Sequence, residues 1–216
     1  FNLMEERDIQ IKGYRVRLPL DVYLVATANP EDYTNRGRII TPLKDRYGSL
    51  IRTHYPKYSE DEVQIIEQEM TSFPDMDSRV IVPQYMKQII AEITSLARRS
   101  GEINQRSGVS VRVSIANYES MISSAYKRGL RTKEQIVAPR ISDLSAIGPS
   151  TMGKIEMESL EDGREGKILE DLTKKAVLKV FGHYFDDSQD LESLVLRFDE
   201  GLVVDADPER SSSIYM

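Results

Sequence analysis

VYLVATANPEDYTNRGRIITPLKDRYG, Val22 to Gly48, is the stretch on which the reading of the fold turns. Val22 to Ala26 is a short continuous apolar run, the pattern of a strand covered on both faces in a parallel sheet. It runs into Thr27-Ala28-Asn29-Pro30, where proline ends the strand. The spacing therefore predicts a buried strand delivering Asn29 at its carboxyl end, the edge at which open α/β sheets bind ligands. An amide at that edge can orient a water or a phosphate oxygen; it can equally cap the turn before Pro30.

Working outward, Asp8 to Leu18 alternates. Ile9 and Ile11 share one strand face, Val16 and Leu18 another, and Lys12-Gly13 lies between them, which predicts a hairpin. Downstream, a polar loop reaches Arg38, Pro42-Leu43-Lys44 begins a short helical pattern, and Asp45-Arg46 follows. Leu50 to Thr53 reads as a further strand, closed by Tyr55-Pro56. Arg46 presents a planar, permanently charged fork suited to phosphate. The alternative is an ordinary surface ion pair involving Asp45, worth about 1 kcal/mol or less.

From Ser59 the pattern becomes helical. Ser59-Glu60-Asp61-Glu62 has the form of a capping box, and Val63, Ile66 and Met70 follow on one face. Pro83 opens a second helix whose stripe is Met86, Ile89, Ile90, Ile93 and Leu96-Ala97. After a loop with Gly101, Asn104 and Gly108, Ser110 is placed to cap a helix to about Lys127, ended by Gly129. Its stripe is Ile115, Tyr118, Met121, Ile122 and Ala125. Lys167 to Phe181 predicts a last long helix; beyond Asp186 the signals fade, and the polar end from Asp205 reads as disordered. Capping at Ser110 puts Arg112 in a first helical turn. Partial positive charge and free N–H groups already concentrate there. A cation in that place is unfavourable unless an anion joins it or the side chain bends into solvent.

Composition narrows the classes. Of 216 residues, 40% are apolar and 30% charged, enough for a core, and the net charge of −6 gives no electrostatic reason to expect nucleic acid as a main partner. With no cysteine there is no disulfide framework and no thiolate zinc site. The two histidines, His54 and His183, lie too far apart in sequence to suggest a metal site, so none is assigned. No apolar run approaches the ~20 residues of a membrane span. The expectation is a soluble, cytoplasmic chain with no membrane partner, and an opening already in helical pattern suggests a fragment of a longer protein.

Taken together, the segments DIQIKGYRVRLPLDV, VATANPEDYTNRGRIITPLKDRYG, IRTHYP and SGVSVRVSIANYE resemble the AAA+ ATPases. The branch is that of the magnesium chelatase I subunit and the MoxR proteins, including those labelled magnesium chelatase-like or sigma-54-interacting. The resemblance covers residues 1–128, with weaker likeness (PRISDL, STMGKIE) to about Phe181. It implies a partial α/β AAA+ core, made of parallel strands plus a pre-sensor β-hairpin, followed by an all-α lid and a helical extension. The corresponding domains are 1–58, 59–130 and 131–186, with a weakly structured tail at 187–216.

The same resemblance makes Asn29 the sensor 1 residue, Arg46 the arginine finger acting on a neighbouring subunit, and Arg112 the sensor 2 arginine. It implies ATP and Mg2+ as cofactors of the intact protein, a ring of copies, taken as a hexamer, and a protein substrate or adaptor that ATP hydrolysis remodels. The Walker motifs are missing from the 216 residues, so the chain alone is expected to be inactive. Gly148-Pro149-Ser150-Thr151-Met152-Gly153-Lys154-Ile155 has the glycine and lysine spacing of a phosphate loop, but Ile155 replaces the magnesium-binding hydroxyl and Pro149 removes an N–H, which favours a turn-rich connector. A sigma-54 transcription activator, a true magnesium chelatase subunit and a non-enzymatic interaction module are the alternatives.

Overall fold

The structure is a computed structural model that describes residues 4, 6, 8–17, 23–28, 41–105, 107–158, 164–185, 188–204 and 211–212. The chain divides into two compact units, Phe1–His54 and Tyr55–Met216.

In the first unit, β1 (Asp8–Ile11) and β2 (Tyr14–Arg17) form the expected antiparallel hairpin, with Ile9 opposite Val16 and Ile11 opposite Tyr14. Directly opposed residues share a face, so the pairing collects Ile9, Ile11, Tyr14 and Val16 on one side of the ribbon. Lys12 and Gly13 turn the chain at φ +49° and +86°, the two left-handed positions of a two-residue hairpin turn. Asp8 is buried and pairs with the Arg15 guanidinium. A single helical turn, α1 (Thr41–Lys44), follows later in the unit.

The parallel strands expected at Val22–Ala26 and Leu50–Thr53 are corrected by the structure. Residues 23–28 and 50–53 form no ladder, and the hairpin is the one sheet among the described residues. Tyr23, Val25 and Ile51 are 89%, 79% and 84% exposed. A parallel strand is held by neighbours on both edges and by covered faces. The described residues provide neither here, so apolar side chains alone do not make the strand.

The second unit is helical. Its elements are α2 (Ser59–Glu69), α3 (Pro74–Asp77), α4 (Gln84–Ala97), α5 (Val111–Thr132), a 3-10 helix (Ile141–Ile147), α6 (Gly148–Met152), α7 (Arg164–Tyr184) and α8 (Ser188–Asp199). The core draws on the stripes legible in the sequence: Ile66 of α2, Met86, Ile89, Ile90 and Ile93 of α4, and Tyr118, Met121 and Ile122 of α5. Leu144 and Ile147 of the 3-10 helix and Leu169, Ala176 and Val180 of α7 join that same cluster. Residues on both sides of position 130 thus share one core. A second cluster of Ala97, Ile103, Val109, Val113, Ile155 and Leu172 packs behind the start of α5. Two isolated bridges staple the loops: Val80 pairs with Val137, and Ile103 with Met157.

Two helix boundaries and one whole helix differ from expectation for local reasons. Ser59 is not a cap, because Tyr58 holds that position without a side-chain bond and Glu62 is turned into the interior. α5 passes through Gly129 and stops at Lys133, which adopts the left-handed conformation at φ +58°. Gly129 is there for space: a Cβ on it would come 3.2 Å from Val137 Cβ. Finally, α8 lies within the stretch expected to be weakly structured. Leu191, Leu194, Val195 and Phe198 recur at helical spacing, a signal present but not used.

Candidate functional site

The first turn of α5 is the best-defined candidate position. Ser110, in extended conformation at φ −67° and ψ 150°, caps the helix, and its Oγ accepts from the Arg112 N–H at 3.2 Å. The Arg112 side chain is exposed, as its place beyond the apolar stripe requires. The chain enters the cap through Gly108 at φ +69°, where a Cβ would collide with the Tyr55 hydroxyl. The positive φ favours glycine at that point, whereas the Tyr55 hydroxyl, at the far end of its side chain, can shift.

Behind this turn lies a polar frame that the sequence reading missed. Arg98, at the end of α4, grips Glu62 of α2 through both terminal nitrogens, at 2.5 and 3.0 Å, and its Nε donates to the Val109 carbonyl at 2.9 Å. Its guanidinium lies over the Tyr55 ring, 4.3 Å from the centroid. The Ser114 hydroxyl donates to Glu62 Oε1 at 2.5 Å, and its oxygen sits 2.6 Å from Thr94 Oγ1. Arg98 and Glu62 are almost wholly buried, with side chains 10% and 3% exposed. The frame fixes the Val109 carbonyl and Ser114 on either side of the turn that displays Arg112. The available signal was Glu62 itself, a carboxylate four residues before the buried Ile66 and therefore on the inward face.

Arg46 lies in the first unit, just past α1. It is partly buried, and its Nη1 donates to the Pro42 carbonyl at 2.5 Å. The guanidinium is thus tied back onto its own helical turn. Asn29 lies outside the described residues. Arg46 and Arg112 belong to different units, and each is placed within its own.

The segment Gly148–Ile155 does not form a phosphate loop. Gly148 and Gly153 are helical, at φ −50° and −73°, and α6 continues directly from the 3-10 helix with no strand before it. The hydroxyls of Ser150 and Thr151 are already spent, donating to Asn117 Oδ1 at 2.7 and 2.9 Å, and Ile155 is buried. The connector expected there is helical rather than turn-rich. No family model matches this chain, no curated protein does, and no solved structure does.

Other polar sites are structural or peripheral. Arg128 and Asp143 make a second buried ion pair at 3.0 Å, joined by Ser124. Glu92 on the α4 stripe is buried and paired with Lys179 of α7 at 2.6 Å. Burial pushes the Tyr118 hydroxyl up to about 12, helped by the charges of Glu67 and Asp77. Among the described residues no group of three or more His, Cys, Asp or Glu is placed to hold a metal ion. None of the described helices is long and apolar enough to cross a membrane. An apolar groove of about 230 Å³ lies between Phe181 of α7, Phe185 just past its end, and Leu191, Leu194 and Arg197 of α8.

Proposed function

We propose that this chain is part of an AAA+-type ATPase that couples ATP hydrolysis to remodelling of a protein partner. In this reading Arg112 is the sensor 2 arginine, Asn29 the sensor 1 amide and Arg46 the arginine finger offered to a neighbouring copy in a ring. The observation that supports it most is the exposed Arg112 in the first turn of a Ser110-capped helix of 22 residues. That turn carries unshared N–H groups and the positive end of the helix dipole, so a further cation destabilises it until an anion arrives. Phosphate oxygens are the anion whose geometry suits both the N–H groups and the guanidinium fork. The capped turn is also rigid, since Glu62 and Arg98 hold its two sides.

ATP would meet Arg112 through its phosphates, and Mg2+ would come with the nucleotide, its ligands lying outside the described residues. A phosphate loop is required as well, and none stands in the 216 residues. The chain by itself is therefore expected to bind ATP weakly, because nothing cradles the β and γ phosphates. Arg46 must release the Pro42 carbonyl to act in trans, which makes its role conditional on a neighbour.

Hydrolysis by the intact protein tests the reading. Arg46→Ala should abolish turnover while leaving the circular dichroism of the protein unchanged, and Arg112→Ala should weaken nucleotide binding. Full turnover in both variants would refute it. The second reading, a non-enzymatic interaction module, is favoured by one observation: Gly148–Ile155, the one sequence in the chain with phosphate-loop spacing, begins as a helix and has a buried Ile155 where a magnesium-binding hydroxyl is needed.

A further inference from the structure

The carboxyl-terminal end of α5 carries a polar notch whose contents come from the far end of the sequence. Arg128 is buried in it at 5% exposure. One terminal nitrogen, Nη2, serves the Ala138 carbonyl at 2.7 Å and Asp143 Oδ2 at 3.0 Å. Asp143 is further held by the Ser124 hydroxyl and the Arg140 N–H, at 2.9 and 2.8 Å. The other, Nη1, donates to Ser212 Oγ at 3.1 Å. Beside it, the Thr132 hydroxyl donates to Glu134 Oε1 at 2.7 Å, and Glu134 Oε2 accepts the Ser212 backbone N–H at 2.6 Å. Ser212 is fully buried there, at 0% exposure.

The chemistry of the notch is selective. It offers one donor, Arg128 Nη1, and one carboxylate acceptor, Glu134 Oε2, side by side. A serine satisfies both from a single residue, with its own N–H and its own hydroxyl oxygen. Without that residue the cost is specific. Arg128 Nε already lacks an acceptor among the described residues. Vacating the notch would leave Nη1 unpartnered too, beside a carboxylate stripped of its donor, and buried charged groups tolerate that poorly. We propose that the Arg128–Glu134 notch is a recognition site for a short serine-bearing peptide segment, and that the chain's own carboxyl-terminal segment fills it in cis through Ser212.

The tether supports cis filling. Val204 and Ser211 are separated by the short stretch 205–210. Covalent attachment to the same chain keeps Ser212 at an effective concentration on the order of millimolar. The intrinsic affinity of the notch for a free peptide is therefore free to be modest, and occupation is reversible: a notch emptied of Ser212 is open to another segment of the same kind.

The test uses the full chain. Ser212→Pro removes the N–H and the hydroxyl together and empties the notch. A synthetic peptide of residues 209–216 is titrated by calorimetry and amide NMR into this variant and into the unaltered chain. Saturable binding to the variant alone, shifting the Thr132 and Glu134 resonances, is the expected result. Binding to neither chain, or equally to both, overturns the proposal. In the unaltered chain the Ser212 amide should exchange about tenfold more slowly than in Glu134→Gln, the loss of a charge-assisted bond; equal exchange also overturns it. Should Ser212→Pro fail to fold, Ser212→Trp, whose side chain exceeds the space of a fully buried serine, takes its place. A protected Ser212 amide accompanied by concentration-dependent dimers in light scattering, which Ser212→Pro abolishes, would put the segment in a neighbour's notch and overturn the cis assignment.

Discussion

Arg98 and Glu62 meet with two nitrogens against two oxygens, almost completely removed from water, 36 residues apart in sequence. The pair joins the start of α2 to the end of α4, and through the Val109 carbonyl and Ser114 it reaches both sides of the turn that carries Arg112. Removing one partner strands the other as a buried charge. Glu62→Gln or Arg98→Met should therefore each destabilise the protein by about 3–5 kcal/mol, while an apolar replacement of both should cost much less than the two added together. Urea melts of the two single variants and the double variant measure this. Additive losses would mean that the groups act separately.

Arg112 separates folding from ligand binding by the sign of one change. A carboxylate in the first turn of a helix is favourable by about 0.3–1 kcal/mol where a cation is not. Arg112→Glu should raise the melting temperature of the chain and at the same time weaken nucleotide binding in the intact protein. A stabilised variant with unimpaired nucleotide binding would remove Arg112 from the site, and a destabilised one would make it a structural residue.

Much of the helical unit, and the hairpin of the first unit, is legible in the sequence. The stripes of α4 and α5, the Ser110 cap and the Lys12-Gly13 hairpin turn all follow from periodicity and turn chemistry, which act over a few residues. What was hidden depends on partners far away in sequence. Val22–Ala26 reads as a buried strand, but a strand is defined by the chains beside it, and residues 23–28 have no ladder. Glu62 fits a capping box on paper, yet Arg98 and Ser114 claim it. Of the three candidate site residues, Arg112 has the helical position the sequence indicated and Arg46 sits by a short helical turn, whereas Asn29 lies outside the described residues. Arg128 was the readable omission, an arginine three residues beyond the buried Ala125 and seven beyond Met121, on the inward stripe.

Gly129 tests whether space or helix termination explains a glycine. In an open helix Gly→Ala gains about 1 kcal/mol. Here the new methyl would stand 3.2 Å from Val137 Cβ, and Val137 is pinned by hydrogen bonds to the Arg79 carbonyl and from the Ile81 N–H, at 2.8 and 3.0 Å. Overpacking of that kind costs about 1–3 kcal/mol, enough to outweigh the gain. Gly129→Ala should lower stability, and adding Val137→Ala should recover part of the loss. A stabilised single variant in a thermal melt would show that Val137 yields.

The Glu134 carboxyl supplies a pH dependence whose direction can be worked out. Burial pushes it up, but the Ser212 N–H, the Thr132 hydroxyl and the positive charge of Arg128 together hold it below the usual carboxylate range. Arg79 donates to the Glu134 backbone carbonyl at 2.6 Å, and Arg131 and Lys133 are the charged neighbours in sequence. A carboxyl with a depressed folded pKa binds its proton more readily when unfolded. Its contribution is complete above the ordinary carboxylate pKa and is lost as pH falls through the lowered value. Docking of Ser212 should thus hold at neutral pH and fail in acid. The Ser212 amide resonance should report this as a single step below the normal glutamate range. That step should vanish in Glu134→Gln, whose neutral side chain has no proton to gain; a step that survives the substitution would assign the pH dependence to another group.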